Sequence, residues 1–247
     1  MSTLVNAFDP YERKARLYPM LLVILPAVLG AASWLPTGME IESLLGGTVT
    51  SIVLAAFLGQ IARDQGKKCE PELFRIWGGK PSVRALSFEG QFFDAKTLGR
   101  MHRSLHKMDS DLTFPENAEE EAAERDSAFL SYESACELLL SHTRDHNRFR
   151  LVFSENVNYG YRRNLWAMKG PGLFLAVFGV VASIWRLAVV IVTDLPMLWT
   201  ALASALIGVT LVVMWAMRIT AAWVRVTAES YARQLCLASQ SLSNSSS

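Results

Sequence analysis

Apolar and polar positions in this chain are sorted into long blocks rather than mixed. Tyr18 to Leu35 is apolar throughout, long enough to cross a ~30 Å hydrocarbon core allowing for tilt and a proline kink at Pro26. Trp34-Leu35-Pro36-Thr37-Gly38 then reads as an interfacial aromatic and a turn. Ser43 to Ala62 is a second, weaker block, dotted with Gly46, Gly47, Thr48, Thr50, Ser51 and Gly59. The spacings Gly47–Ser51 and Ala55–Gly59 are small-xxx-small, suited to close helix contact. Leu173 to Thr193 and Pro196 to Met217 form two further blocks, joined by a turn at Asp194-Leu195-Pro196 so short that they must pair as a hairpin. The pattern predicts a mainly α integral membrane protein: four transmembrane helices with a mostly helical cytosolic insert between the second and third spans.

The expected organisation is a lead-in over 1–17, a first hairpin over 18–62, the insert over 63–169, a second hairpin over 170–217, and an amphipathic helix with a disordered tail over 218–247. Within the insert, Pro71 to Ile76 predicts a short helix broken by Trp77-Gly78-Gly79-Lys80-Pro81. Val83 to Phe88 reads as a short strand. Asp94 is a candidate N-cap for a helix through about Met108, and Asp109 to Pro115 is a loop. Asn117 caps a long helix whose first turns carry Glu119, Glu120, Glu121 and Glu124, acids that complement the positive end of the helix dipole. Phe129, Cys136, Leu139 and Leu140 mark its apolar stripe, and the helix is expected to run past Arg150. The polar-aromatic stretch Ser154 to Lys169 then meets the third apolar block, which makes it a candidate coupling element.

Charge placement orients these blocks. Of 247 residues 51% are hydrophobic and 19% charged, with mean hydropathy +0.22 and net charge +1, so no global field argues for nucleic acid. Arg13, Lys14 and Arg16; Arg63, Lys67 and Lys68; Arg162, Arg163 and Lys169; and Arg218 and Arg225 all fall on one side of the predicted spans. The positive-inside rule puts both termini and the insert in the cytoplasm of a multi-pass bacterial inner-membrane protein. Pro19 and Pro26 interrupt the first apolar run and no small-x-small site follows, so it reads as a retained anchor. Cys69, Cys136 and Cys236 form no CxxC pair and are expected to be reduced and structural.

The polar residues offer several readings. His102/His106 and His142/His146 are two HxxxH pairs, each on one helical face, but Arg103, Lys107, Arg144 and Arg148 oppose a cation, and no metal or other cofactor is expected. No nucleophile elbow, P-loop or dinucleotide fingerprint occurs, so no enzymatic activity is expected. From Arg75 to Lys107 basic and aromatic residues interleave: Arg75, Trp77, Lys80, Arg84, Lys96, Arg100, His102, Arg103 and Lys107. Arg144, Arg148 and Arg150 form a second basic cluster. Such a surface could hold a nucleotide or short single strand, or simply face anionic headgroups. Arg186 lies inside the third span, ~22 Å along the axis from Pro171. A pore ring in an oligomer is one reading, and snorkelling or pairing with a neighbour's Asp194 is the other.

Leu73-Phe74-Arg75-Ile76-Trp77-Gly78-Gly79-Lys80-Pro81-Ser82 and Glu155-Asn156-Val157-Asn158-Tyr159-Gly160-Tyr161-Arg162-Arg163-Asn164 together resemble a family of bacterial multi-span membrane proteins with WGGxP and ENxxYGxRRN segments. Arg100-Met101-His102 would be its middle Arg-x-His element. The chain is also similar to the membrane effectors of the Hailong anti-phage system. That resemblance implies an oligomeric pore whose cytosolic part senses short DNA oligomers made by a partner nucleotidyltransferase. Ligand or gating contacts are then expected at Arg75, Trp77, Gly78, Gly79, Lys80, Arg84, Arg100, His102, Glu155, Asn156, Tyr159, Arg162, Arg163 and Asn164, with Arg186 at the pore. The alternative is a non-conducting scaffold that recruits a protein through the Asn117 to Leu140 helix.

Overall fold

The computed structural model describes residues 13–34, 47–193 and 198–243, and every described element is helical. In chain order these are a π-helical turn at Arg13–Leu17, α1 (Tyr18–Ala32), α2 (Gly47–Lys68), α3 (Glu70–Trp77), α4 (Pro81–Ala85), α5 (Ala95–Met108), α6 (Ala118–Ala123), α7 (Arg125–His142), α8 (Arg150–Ala167), α9 (Lys169–Thr193), α10 (Leu198–Val213), a second π-helical turn at Met214–Arg218, and α11 (Ala221–Ser243). The predicted turns at 35–38 and 194–196 lie outside the described residues. Two compact units divide the chain. The first comprises Met1–Glu70 with Gly160–Val224, the second Pro71–Tyr159 with Arg225–Ser247.

In the first unit, α1, α9 and α10 pack through small residues. A Cβ on Gly179 would stand 2.2 Å from the Pro26 carbonyl oxygen, and one on Gly30 3.0 Å from Gly179 Cα, so the α1 and α9 backbones touch. At Gly208 of α10 a Cβ would meet Val180 at 2.8 Å, and at Gly172 of α9 it would meet the Trp215 ring at 2.6 Å. Met20, Val23, Ala62, Leu165, Met168, Ala176, Leu211, Trp215 and Ile219 fill the core. The outward faces are apolar instead of polar: Phe174, Phe178, Val181 and Trp185 on α9 and Leu206, Val213 and Met217 nearby are all more than half or about half exposed. An apolar surface of that extent is what a helix shows to lipid. Two segments, Lys169–Ile191 and Ala201–Arg218, are long and apolar enough to cross a membrane. The first predicted hairpin fares less well. Tyr18–Ala31 is shorter than a span, and α2 carries Arg63, Asp64, Lys67 and Lys68 in its last turns.

The second unit is an ordinary amphipathic bundle. α5 buries Leu98, Met101, His102 and Leu105 on one face and exposes Lys96, Arg100, Arg103 and Lys107 on the other. These pack with Leu86, Tyr132, Cys136, Leu139, Leu235 and Cys236 into one core. Burial pushes the Cys136 thiol up to about 11 and lifts Cys236 well above the usual thiol range.

Several expectations are corrected here. Val83 to Phe88 forms no strand: Lys80 is extended, Pro81 pre-sets the first helical turn, and α4 follows, burying Val83, Ala85, Leu86 and Ser87 without alternation. The Asn117 helix is interrupted at Glu124 (φ −121°, ψ 43°), where α6 ends and α7 begins. It does not run past Arg150 either, since α7 ends at His142 and a turn, in which Asp145 accepts from the Asn147 and Arg148 amides, precedes α8. Leu140, assigned to the apolar stripe, is exposed. The tail is ordered further than its composition suggests, because α11 continues to Ser243 with Ser239 and Leu242 buried.

Candidate functional site

The WGGKP segment is explained by backbone geometry. Gly78 and Gly79 have φ of +76° and +129°, a region costly for any side chain. The Gly79 amide donates to Phe74 O (2.8 Å) and the Gly78 amide to Arg75 O (3.3 Å), the two bonds of a Schellman cap that ends α3. Arg84 Nη1 closes the corner by donating to the Trp77 carbonyl at 2.9 Å, and the Trp77 ring is buried. The expected ligand contacts Trp77, Gly78, Gly79 and Arg84 thus form a helix–turn–helix corner, with no open indole face on which a base could stack. Arg75 and Lys80 are exposed beside it, and Arg100 is exposed on α5, donating to the Thr97 hydroxyl.

His102 is also part of the interior. Its Nε2–H donates to Leu86 O at 2.7 Å, and its ring stacks on Phe114 (4.5 Å between centroids, 11°) and Tyr132 (5.7 Å). Burial holds its pKa below the ordinary imidazole range, against opposing contributions from the Leu86 carbonyl, the Glu121 charge and the Pro115 backbone, so at neutral pH the ring is uncharged. Glu121 was expected among the acids that complement the helix dipole. In the first turn of α6 it is also buried: one carboxylate oxygen accepts from the Phe88 amide (2.7 Å) and the Tyr132 hydroxyl (2.8 Å), the other from the Glu89 amide (3.2 Å). Burial and this carboxylate together raise the Tyr132 pKa, keeping the hydroxyl a donor.

Outside this stack lies a groove of about 760 Å³ between α5 and the 109–116 loop. Arg103, His106 and Lys107 line one wall, His102 and Phe114 the inner side, and Glu116 lies on the loop. The wall is basic because Arg103 and Lys107 are four apart on the exposed face of α5. His106 Nδ1–H donates to Leu112 O at 2.8 Å, which ties the loop to the helix and leaves Nε2 as the available ring nitrogen. A guanidinium, an ammonium, an imidazole and apolar walls can hold an anion with a flat apolar portion. Sequence reasoning named Arg103, His106 and Lys107 without assembling them, and missed Phe114, whose part depends on the fold of the 109–116 loop. No group of three His, Cys, Asp or Glu that could hold a metal occurs among the described residues.

The ENVNYGYRRN stretch lies in α8 and contains the division between the two units, at Tyr159 and Gly160. Glu155 and Asn156 are half-buried, while Tyr159 lies parallel to Tyr231 (6.3 Å, 5°) within the second unit. In the first unit, buried Asn164 donates from Nδ2 to Ala15 O at 2.7 Å, and its Oδ1 accepts from Arg163 Nε and Nη2. Gly66 makes room for it: a Cβ there would come 1.8 Å from that Oδ1. Arg163 Nη1 pairs with Glu70 at 2.6 Å, and Arg162 Nη1 donates to Trp223 O at 2.8 Å. Asn164 is therefore a packing hub linking α8, α2 and the N-terminal π turn.

Arg186 has a definite place. Its Nε donates to Ser33 O (3.0 Å) at the C-terminus of α1, and its guanidinium lies 5.4 Å from the Trp34 ring, whose Nε1–H donates to Ala182 O (3.2 Å). A cation on the negative end of a helix is a stabilising arrangement by itself. No protein-family model matches this chain, and no curated protein or solved structure matches it either.

Proposed function

We propose that this chain is a bacterial inner-membrane effector whose cytosolic helical unit binds a phosphate-bearing ligand, a nucleotide or short oligonucleotide, in the groove beside α5. The membrane helices, assembled in a homo-oligomer, respond by letting ions pass. The observation that carries this reading is the groove itself: Arg103, His106 and Lys107 face a cavity beside Phe114 in a chain that also holds two membrane-length apolar helices. Phosphate takes the cations, and a base takes the apolar wall. The four-span topology with both termini inside rests on the one-sided Lys and Arg distribution, and it requires α1 and α2 to cross with help from their neighbours. A role in anti-phage defence, with a partner nucleotidyltransferase supplying the ligand, follows from the resemblance to the Hailong effectors. Arg186 serves here first as the cap of α1, and a pore role would be additional.

The test is ion flux from liposomes containing the full chain, with defined nucleotides and short DNA oligomers on the side of the basic residues. Ligand-dependent flux that Arg103→Gln/Lys107→Gln abolishes supports the reading. Flux absent under every ligand overturns conduction. A second reading, a non-conducting scaffold, is favoured by Leu130 on α7, which is 65% exposed close to Glu133 and Glu137. It predicts that Leu130→Ser, and not the groove substitutions, removes cellular function and recovery of a stoichiometric partner.

A further inference from the structure

At one end of the paired helices α9 and α10, cations collect around a single indole. The apolar run of α9 starts at Lys169 and that of α10 stops at Arg218. Lys169 Nζ donates to Ala216 O (3.1 Å) and Ile219 O (2.8 Å), so both residues mark the same end of the pair. The carbonyls are available because Met214–Arg218 winds as a π turn and Ile219 leaves the helix in an extended conformation. The guanidinium of Arg162 lies 4.7 Å from the Trp223 ring and that of Arg218 5.7 Å from the same ring. The Lys169 ammonium and the Arg218 guanidinium thus lie at the same end of the pair, where an anion would be attracted to both. No ion pair involves Lys169 or Arg218 among the described residues.

We infer that the Lys169–Arg218–Trp223 end of the α9–α10 pair is a binding site for the phosphate of an anionic phospholipid, which Arg162 completes. The chemistry is phosphate recognition by a guanidinium fork and an ammonium beside an amphipathic indole. Two sources could supply that phosphate, the bilayer or the solution. The surface next to the cluster favours the bilayer: Met217 is 76% exposed and Val213 half exposed just before Arg218, a strip along which an acyl chain would lie. A soluble anion would gain nothing from it. The inference rests on α9 and α10 spanning the membrane.

The experiment is native mass spectrometry of the full chain, delipidated in detergent and titrated with phosphatidylglycerol or phosphatidylcholine. The wild-type chain is expected to retain phosphatidylglycerol in preference. Arg218→Gln should lower that retention about fivefold, Arg218→Lys should keep most of it, and Arg125→Gln, on an exposed pair in the second unit, should change nothing. Equal retention of the two lipids by wild type, or of phosphatidylglycerol by wild type and Arg218→Gln, overturns the site. Full displacement of the lipid by millimolar pyrophosphate assigns the phosphate to solution and overturns the lipid source. Alkaline carbonate extraction of membranes separates the two failures: release of the chain defeats the spanning reading, whereas a carbonate-resistant chain without lipid preference defeats only this inference.

Discussion

The two units differ in the anion they enclose, although both bring cations to main-chain carbonyls, as Arg84 does at Trp77 in the second. In the second, an anion sits inside and donors come to it: Glu121 accepts from the Phe88 and Glu89 amides and the Tyr132 hydroxyl. In the first, cations come to main-chain carbonyls: Lys169 at Ala216 and Ile219, Arg162 at Trp223, Arg186 at Ser33. Amide donors lie at helix starts and turns, and carbonyl acceptors at helix ends. A bundle whose outward faces are apolar has few other acceptors for its basic residues, so Lys169 and Arg186 cap helix ends. The packing differs accordingly. Aromatic rings and leucines fill the second unit, whereas the first relies on glycines that let backbones touch.

Breaking the anion-centred arrangement should have the largest effect. Glu121→Ala leaves the Tyr132 hydroxyl and two amides without their acceptor, at a cost of about 3 kcal/mol. The chain should unfold at clearly lower temperature by circular dichroism, and Tyr132→Phe in that background should recover part of the loss. If Glu121→Ala melts like wild type, the carboxylate is not structural.

Gly179→Ala comes next, because its Cβ meets backbone rather than a movable side chain. About 2 kcal/mol is expected, seen as a lower midpoint for thermal loss of the monodisperse detergent peak, while Gly170→Ala, with open space around it, leaves the midpoint in place. Asn164→Ala should cost about 1–2 kcal/mol on the same measurement, since it removes the partner of buried Ala15 O.

The smallest effect is one of pH. His102 is held neutral by burial, so its folded-state pKa lies below the usual 6.5. The unfolded chain then binds the extra proton first, and stability falls as pH drops below about 6.5 until the folded ring itself titrates. Above that pH the residue contributes no slope. His102→Gln should flatten the dependence between pH 7 and 5, and an unchanged slope in the variant assigns it to other groups. The groups around this ring are Glu121 within the core and Arg103, His106 and Lys107 along the groove.

Helix content and many boundaries were legible from local chemistry. Asp94 caps α5 by accepting from the Thr97 amide, and Asn117 caps α6 through the Glu119 and Glu120 amides, as their positions before apolar-periodic runs implied. The break at Glu124 was not legible, because it depends on Glu121 turning inward to amides more than thirty residues away. A run of acids looks solvated until a distant donor claims one of them. The candidate site was half legible for a similar reason. The i, i+4 spacing of Arg103 and Lys107 is visible in the sequence, but the placement of Phe114 in the same groove is not. Asn164 illustrates the converse, since its polar neighbourhood suggested a coupling contact while its amide serves packing against Gly66 and Ala15.

The corner at Trp77 to Pro81 bears on what a short shared motif can mean. Two glycines are demanded by their dihedrals, a proline by the start of the next helix, and an arginine by an unfilled carbonyl. Any chain that turns between two helices in this way is pressed toward the same letters, whatever it binds. Likeness through such a segment therefore transfers architecture between proteins, and says nothing of what either one binds.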